Sequence, residues 1–197
     1  MNGSIDWAEF ITKCYEAIDK KFNAMIFSTF GTLGTYLPAG GQWVKSSPLT
    51  SATKDTFLQL LQDVETANGT EVVVMGTRFA LAKLTALEEV NWISEDMKKE
   101  RNTTGRVGYF MGYRLVELPQ VFADNDTTTR LMSNDVLYVM PAADNKFIKV
   151  FDEGDAEVKQ VEDNTTNTDM TIEYMVQYKM GVAVIVGRMF GIWNITQ

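Results

Sequence analysis

The sequence predicts an α+β protein whose helices come first and whose strands fill the second half of the chain. Three observations predict this class. A long amphipathic pattern opens the chain, a helix–strand–helix unit occupies residues 53–87, and apolar runs separated by glycine and proline follow residue 107. We therefore expect a sheet covered by helices, next to one unusually long helix.

The first element is a helix predicted over residues 7–30. Asp6 can cap it, Glu9 can close a capping box, and Gly31 is expected to end it. Cys14 is expected to be buried on the apolar face as a small hydrophobic residue. At about 36 Å, such a helix must be a spine against which other elements pack. Its apolar face consists of Trp7, Ile11, Cys14, Ile18, Phe22, Met25 and Phe30.

The helix–strand–helix unit follows a segment, residues 31–50, whose glycines and prolines are typical of loops and turns. A helix is predicted over residues 53–67 and ends at Asn68-Gly69. The apolar run 71–75 predicts a buried strand. Gly76-Thr77 then turns into a third helix, with Thr77 as its N-cap. This order indicates a sheet with helices packed against it.

The second half of the chain is predicted to consist of strands. Glu153-Gly154 is interpreted as a hairpin turn, and Gly181 as a kink or bulge within one long strand. Polar turns are predicted at residues 124–130 and 163–169. The predicted strands cover residues 107–110, 113–118, 136–140, 147–151, 157–161, 172–186 and 187–193.

The composition excludes several kinds of chemistry. The 197 residues include no histidine and one cysteine, and 18 basic against 26 acidic residues give a net charge of −8. Without an imidazole, histidine-dependent catalysis is excluded and most zinc sites are disfavoured. The acidic balance argues against general nucleic-acid binding. No apolar stretch is long enough for a membrane span, and no secretory signal is recognised.

Glycine-rich and acidic segments do not form recognisable ligand sites. The Gly31–Gly34 segment lacks the Gly-Lys-Ser/Thr triplet of a phosphate loop, and residues 152–155 lack the ligand spacing of an EF-hand. We predict no catalytic residue, no metal and no cofactor. Tryptophans outside the helices suggest interfaces, with core packing as the alternative. The candidate interface residues are Trp43, Trp92, Glu95, Lys98, Arg101, Asn164 and Asn167.

An ordered series of short segments resembles the major capsid protein of tailed bacteriophages. The resemblance runs from the first helix to the end of the chain. It implies an HK97-like capsid fold with a long spine helix, an axial α/β domain and a peripheral domain with long antiparallel strands. The segments are VMGTR (74–78), NWISEDM (91–97), GRVG (105–108), GYRLV (112–116), LPQ (118–120), LYVMP (137–141), KFIK (146–149), EGD (153–155), KMGVAV (179–184) and FGIW (190–193).

The resemblance also implies a domain division and a role. Residues 1–45 and 148–186 would form the peripheral domain, and residues 46–147 and 187–197 the axial domain. The chain would be a structural subunit that tiles a phage or prophage shell through lateral contacts with copies of itself in capsomers. It would meet packaged DNA only indirectly, meet no membrane, and reside in the virion after assembly in the bacterial cytoplasm.

The chain departs from the family pattern at its start. The spine helix begins near residue 7, so the N-terminal arm and extended loop that clasp neighbouring subunits in the family have no counterpart. We therefore expect this chain alone to be a monomer or weak oligomer, and we carry over no crosslinking residues. One alternative is an encapsulin-like compartment shell. Another is a small carboxylate-using α/β enzyme or nucleotide-binding module, which predicts a concave pocket with convergent acids.

Overall fold

The computed structural model describes residues 7–37, 41–84, 87, 95–96, 99, 108–123, 128–142, 147–154, 157–161 and 173–196. Within those residues the chain forms three α-helices, ten strands and short 3-10 turns. The helices are α1 (Trp7–Thr32), α2 (Lys54–Asn68) and α3 (Arg78–Leu84). The strands are β1 (Val44–Ser46), β2 (Val72–Gly76), β3 (Tyr109–Phe110), β4 (Tyr113–Glu117), β5 (Val136–Pro141), β6 (Ile148–Asp152), β7 (Glu157–Val161), β8 (Glu173–Gln177), β9 (Met180–Val184) and β10 (Gly191–Asn194).

The long first helix is confirmed, but its predicted end is wrong. Helix α1 passes through Gly31 to Thr32 and continues as a 3-10 turn, Leu33–Tyr36. Threonine hydroxyls sustain this extension, since Thr32 Oγ1 donates to Thr29 O at 2.8 Å and Thr35 Oγ1 donates to Thr32 O at 2.7 Å. The turn places Leu33 in the core with none of its surface exposed. Burial of that side chain therefore outweighs the stop signal at Gly31.

Most of helix α1 stands clear of the core. From residue 8 to residue 26 none of its side chains is buried, and Phe27 is the first that is. The expectation that Cys14 is buried is therefore wrong, because this thiol is only half-buried. The amphipathic pattern correctly located an apolar face, but among the described residues only the end of the helix packs deeply.

The helix–strand–helix unit forms as the sequence predicts. Gly69 ends α2 in the left-handed conformation at φ 62°, and its amide donates to Glu65 O at 2.8 Å. Thr77 caps α3, since its Oγ1 accepts from the Ala80 amide at 3.3 Å. Strand β2 lies between the two helices in sequence and at the centre of the sheet in space.

The main sheet has six strands in the order β1-β10-β5-β2-β4-β3. Strand β2 pairs parallel to β4, with Val73 opposite Arg114, and antiparallel to β5, with Val74 opposite Val139. Strand β10 pairs antiparallel to β5, with Trp193 opposite Leu137. The last strand of the chain thus inserts beside the middle of the sheet, not at its outer edge.

Two hydrophobic clusters cover the two faces of this sheet. Alternate side chains of β5 enter opposite clusters: Leu137 and Val139 face α2 and α3, whereas Tyr138 and Met140 face the end of α1. In the first cluster the Phe57 and Trp193 rings meet edge to face at 5.3 Å. The sheet is therefore sandwiched between helices.

One strand of the main sheet lies in a segment predicted to be loop. Strand β1, within residues 31–50, pairs parallel to β10, with Val44 opposite Ile192. The Trp193 indole Nε1 also donates to Ser47 O at 3.1 Å. These contacts join residues about 148 positions apart in sequence, so the local composition of the loop carries no sign of them.

The later strands form a two-stranded ribbon, and the hairpin turn predicted at Glu153-Gly154 is wrong. Strand β6 pairs with β9 and β7 pairs with β8, so the chain continues along the ribbon past Gly154. Four residues lie between β6 and β7, but only two lie between β8 and β9. Gly154, at φ 82°, accommodates this mismatch. The polar turn predicted at 163–169 lies outside the described residues.

The long strand predicted over residues 172–186 divides in two, but not at Gly181. Gly181 sits opposite Phe151 in a regular ladder, so the predicted kink there is wrong. The interruption falls at Tyr178 and Lys179, across from the mismatch near Gly154. There Tyr178 Oη donates to Asp152 Oδ2 at 2.7 Å. The position of the break is thus set by the partner strand.

Candidate functional site

A cleft lies where the parallel strands β2 and β4 end. The carboxyl ends of parallel strands meet at one edge, and open α/β sheets bind their ligands in the crevice outside this edge. The cleft has a volume of about 770 Å³ and is lined by the start of α3, the residues after β4 and the residues before β5. It is large enough to accept side chains from another molecule, since binding pockets range over roughly 300–1,000 Å³.

Gln120 holds the wall of the cleft together. Its Nε2 donates to Met132 O at 2.8 Å and to Asn134 Oδ1 at 3.0 Å, and its Oε1 accepts from the Met132 amide at 3.1 Å. The Thr77 hydroxyl donates to the same Asn134 Oδ1 at 3.0 Å. This network fixes the segments after β4 and before β5 against the start of α3, so the cleft is preformed.

The rim of the cleft is aromatic and charged. Phe79 is 59% exposed and Phe122 is 46% exposed, although both line the cavity. Lys83 Nζ lies 2.5 Å from Asp135 Oδ1 and 5.1 Å from the centre of the Phe79 ring. Exposed phenylalanine together with arginine, here Arg78 and Arg130, is enriched at protein–protein interfaces, whereas lysine and aspartate are depleted there.

At the opposite end of β4, a tight hairpin exposes an apolar tip. Phe110 pairs with Tyr113, so only Met111 and Gly112 form the turn, and both have positive φ, at 49° and 90°. Such turns favour Asn-Gly, and a larger side chain in this conformation costs about 1–2 kcal/mol. Met111 is nevertheless 53% exposed, next to Tyr109 at 57%.

Tyr113 anchors this hairpin to helix α2. Its hydroxyl donates to Glu65 Oε2 at 3.1 Å, and its ring packs against the first hydrophobic cluster. Burial, followed by the hydrogen bond to Glu65 and the negative charge of that carboxylate, raises the pKa of Tyr113 above its ordinary value of 10.0. The phenol therefore stays neutral and keeps donating at physiological pH.

A second groove lies between helix α1 and the ribbon. It measures about 720 Å³, and its walls include Ile18 and Met25 from the helix and Phe151 and Met180 from the ribbon. A salt bridge of 3.6 Å between Lys179 Nζ and Glu153 Oε2 stands beside it. This groove is where the half-exposed face of the spine helix meets the strands.

Two of the sequence-predicted interface residues fall within the described chain. Trp43 is half-buried and packs against both hydrophobic clusters, and its carbonyl accepts from the Ile192 amide at 2.8 Å. Glu95 is exposed in a helical segment. The interface role of both residues stays a prediction. The other candidates, Trp92, Lys98, Arg101, Asn164 and Asn167, lie outside the described residues.

The exposed residues at the two ends of β4 were missed by sequence reasoning. The pair Met111-Gly112 between two aromatic residues could have signalled a two-residue turn, although methionine is unusual there. Phe79 and Phe122 carry no such signal, because apolar residues next to a helix start or a strand end usually point inward. Only the packing of neighbouring elements reveals their exposure.

Among the described residues no group of three or more acidic, cysteine or histidine side chains is placed to hold a metal ion. None of the described helices has the length and apolarity to cross a membrane.

The fold is that of a bacteriophage capsid subunit: it matches a chain of the mature capsid of bacteriophage PhiM1 with a TM-score of 0.58 and 13% sequence identity. The match covers 99% of this chain and 66% of that chain. The α+β capsid fold expected from the sequence is thus confirmed. No curated protein matches the chain.

The particular family follows from a family model that matches residues 1–194. The chain belongs to the family described as SPbeta prophage-derived putative capsid protein YonB. This finding and the fold agree with the capsid expectation, and neither supports the encapsulin-like or enzymatic alternatives.

Proposed function

We propose that the protein is a structural subunit of a phage or prophage capsid shell, acting through lateral contacts with copies of itself. The observation that carries the proposal is membership of a capsid protein family over residues 1–194, together with the capsid fold. Because the chain spans 66% of the matched capsid chain, its partners and assembly are part of the proposal. It resides in the virion, after assembly in the bacterial cytoplasm.

The geometry supports a mechanical role. A sheet covered on both faces is rigid, because its strands are fixed by two separate clusters of buried side chains. Exposed aromatic and apolar side chains gather at the ends of strand β4 and along the ribbon. Phe151 is an example on the ribbon, with 55% of its surface exposed. A rigid body with several separate apolar edges suits tiling by neighbours, and we propose no catalytic step.

We also propose the division into peripheral and axial domains made from the sequence: residues 1–45 and 148–186, and residues 46–147 and 187–197. The ribbon of β6 to β9 supports the first, and five of the six strands of the main sheet lie wholly within the second. Strand β1, at Val44–Ser46, straddles the boundary. We also propose that the isolated chain is a monomer or a weak oligomer.

Two measurements test the role. Mass spectrometry of particles released from a host that carries the gene should find this chain as an abundant virion protein, and its absence from purified virions would contradict a shell role. Sedimentation equilibrium of the purified chain should show monomers or reversible self-association with a dissociation constant of about 1 mM, the weak end of specific binding. Stable closed shells formed by the isolated chain would contradict this expectation.

A further inference from the structure

Strand β4 carries complementary features at its two ends. Before its start stands the hairpin tip, formed by Tyr109, Met111 and Gly112, and after its end lies the cleft rimmed by Phe79 and Phe122. Five residues of extended chain separate them, about 16 Å. A projecting apolar tip and an apolar-rimmed cleft therefore lie at opposite ends of one rigid strand.

The tip keeps methionine at a position that folding alone disfavours. At φ 49° asparagine or glycine is favoured, and an exposed side chain gains no burial within its own chain to offset the strain. Strain of this kind persists where an exposed group serves contact with another molecule. Met111 also suits such a contact because its flexible thioether adapts to irregular apolar surfaces.

The charges at the two ends of β4 also differ in sign. The cleft is lined by Arg78, Lys83 and Arg130 against Glu117 and Asp135, a local excess of one positive charge in a chain of net charge −8. Among the described residues at the tip end the balance is reversed. Glu65 holds the Tyr113 hydroxyl and Glu71 immediately precedes β2 at the same edge of the sheet, and Arg114 is the cation described beside them. The two ends therefore attract each other across a contact between copies.

We infer that copies of this chain contact one another head to tail, with the β3–β4 hairpin tip of one copy seated in the cleft beside Phe79 and Phe122 of the next. The occupant of the cleft is thus a second copy of this chain. Because the contact joins two different surfaces, repeating it closes a ring when the rotation allows and forms an open filament when it does not. The inference rests on the proposed capsid function and deepens it by naming the lateral contact.

The first test distinguishes a loss of contact between copies from a loss of folding stability at the hairpin tip. Met111→Asn relieves the backbone strain, so the melting temperature should rise by about 2–4 °C. Self-association measured by sedimentation should nevertheless weaken about tenfold, because an anchor side chain is lost. Tyr109→Ser should weaken it too. Tyr36→Ser, which removes an aromatic ring that is 52% exposed outside both surfaces, is the matched control and should leave association unchanged.

The second test asks whether the contact is head to tail. In a Cys14→Ser background, Met111→Cys and Phe122→Cys chains are made separately and treated with a short bismaleimide crosslinker. The mixture of the two variants should form crosslinked dimers that neither variant forms alone. Equal crosslinking within each single variant would show like-to-like contact and overturn the inference.

The outcomes also distinguish this inference from the proposed function. If the unmodified chain self-associates but Met111→Asn and Tyr109→Ser leave the constant unchanged, the tip-to-cleft contact is wrong while the shell role stands. If the unmodified chain does not self-associate even at about 1 mM, the tip-to-cleft contact is overturned, and the shell role is judged separately by mass spectrometry of virions. Weakened association with a raised melting temperature, together with crosslinks only in the mixture, supports the contact.

Discussion

Replacing Asn68 by alanine should destabilise the fold although Asn68 is only half-buried at the end of helix α2. Its Nδ2 donates to Val64 O and to Met189 O, both at 2.7 Å, and its Oδ1 accepts from the Met189 amide at 3.1 Å. The Asn68 side chain thus pairs with both backbone groups of Met189, as a residue of a neighbouring strand would. It fixes the segment that leads into β10, the strand beside the centre of the sheet.

The size of the effect follows from these bonds. Three hydrogen bonds with net values of about 1 kcal/mol each would give about 3 kcal/mol. Alanine recovers part of that, roughly 0.5 kcal/mol, because it favours helix more than asparagine does. Water can also reach the freed groups of this half-buried site. We therefore expect Asn68→Ala to lower the free energy of unfolding by about 2 kcal/mol, which corresponds to about 4–8 °C in melting temperature.

Urea unfolding followed by circular dichroism measures the change, and amide hydrogen exchange localises it. The Met189 amide should exchange faster in Asn68→Ala because it loses its acceptor. Asn194→Ala is the matched control: it removes one exposed hydrogen bond of 3.2 Å to Ser46 Oγ and should cost less than about 0.5 kcal/mol. Equal losses of unfolding free energy in the two variants, or an unchanged exchange rate of the Met189 amide, would refute the role of Asn68 in fixing this segment.

Gly76→Ala should cost about 1–3 kcal/mol by overpacking, because the new Cβ would lie 2.9 Å from Leu137 Cδ2. In Gly31→Ala the new Cβ would meet no atom within 4 Å, and the residue lies inside helix α1, so this variant should gain about 0.5–1 kcal/mol of stability. Urea unfolding that finds Gly76→Ala more stable than Gly31→Ala would contradict these two packing environments. Tyr113→Phe should cost about 1 kcal/mol at neutral pH by losing the bond to Glu65. The folded pKa of Tyr113 lies above 10.0, so the folded state holds its proton more tightly and stability falls as pH rises above 10. That fall should be smaller in Tyr113→Phe, and an identical pH profile of unfolding would count against the raised pKa.

Local signals in the sequence predicted the elements whose cause is local. Helix α2 ends at Asn68-Gly69 because glycine adopts the left-handed cap without a steric cost, and that property can be recognised without knowing the fold. Strand β5 was recognised as an apolar run, and its alternation between two clusters follows from the two-residue period of any strand. Periodicity and caps therefore located most of the helices and strands.

The errors share a different cause. Gly31 carries a stop signal, yet α1 continues because Leu33 gains a fully buried position beyond it. Glu153-Gly154 has the composition of a turn, yet both strands of the ribbon continue past it because each has a partner far along the chain. In both places a distant contact outweighs the local preference, and single-sequence patterns hold no record of such contacts.

The candidate site shows the same division between local signals and distant contacts. Sequence reasoning proposed Trp43 as an interface residue; the structure packs this half-buried side chain against both clusters, and its interface role stays a prediction. Sequence reasoning missed Met111, whose exposed side chain and positive φ become evident only when Phe110 and Tyr113 pair. Exposure depends on what covers a side chain, and the covering element is usually remote in sequence.

By itself, the sequence determined the α+β class, the long first helix, the helix–strand–helix unit and the resemblance to capsid subunits, because these follow from local spacing and the order of segments. Only the tertiary structure decided that β1 joins β10 and that β4 separates an apolar tip from a cleft. These features arise when residues up to about 148 positions apart meet. Their free energy comes from burial and hydrogen bonds between partners, and no single segment specifies a partner.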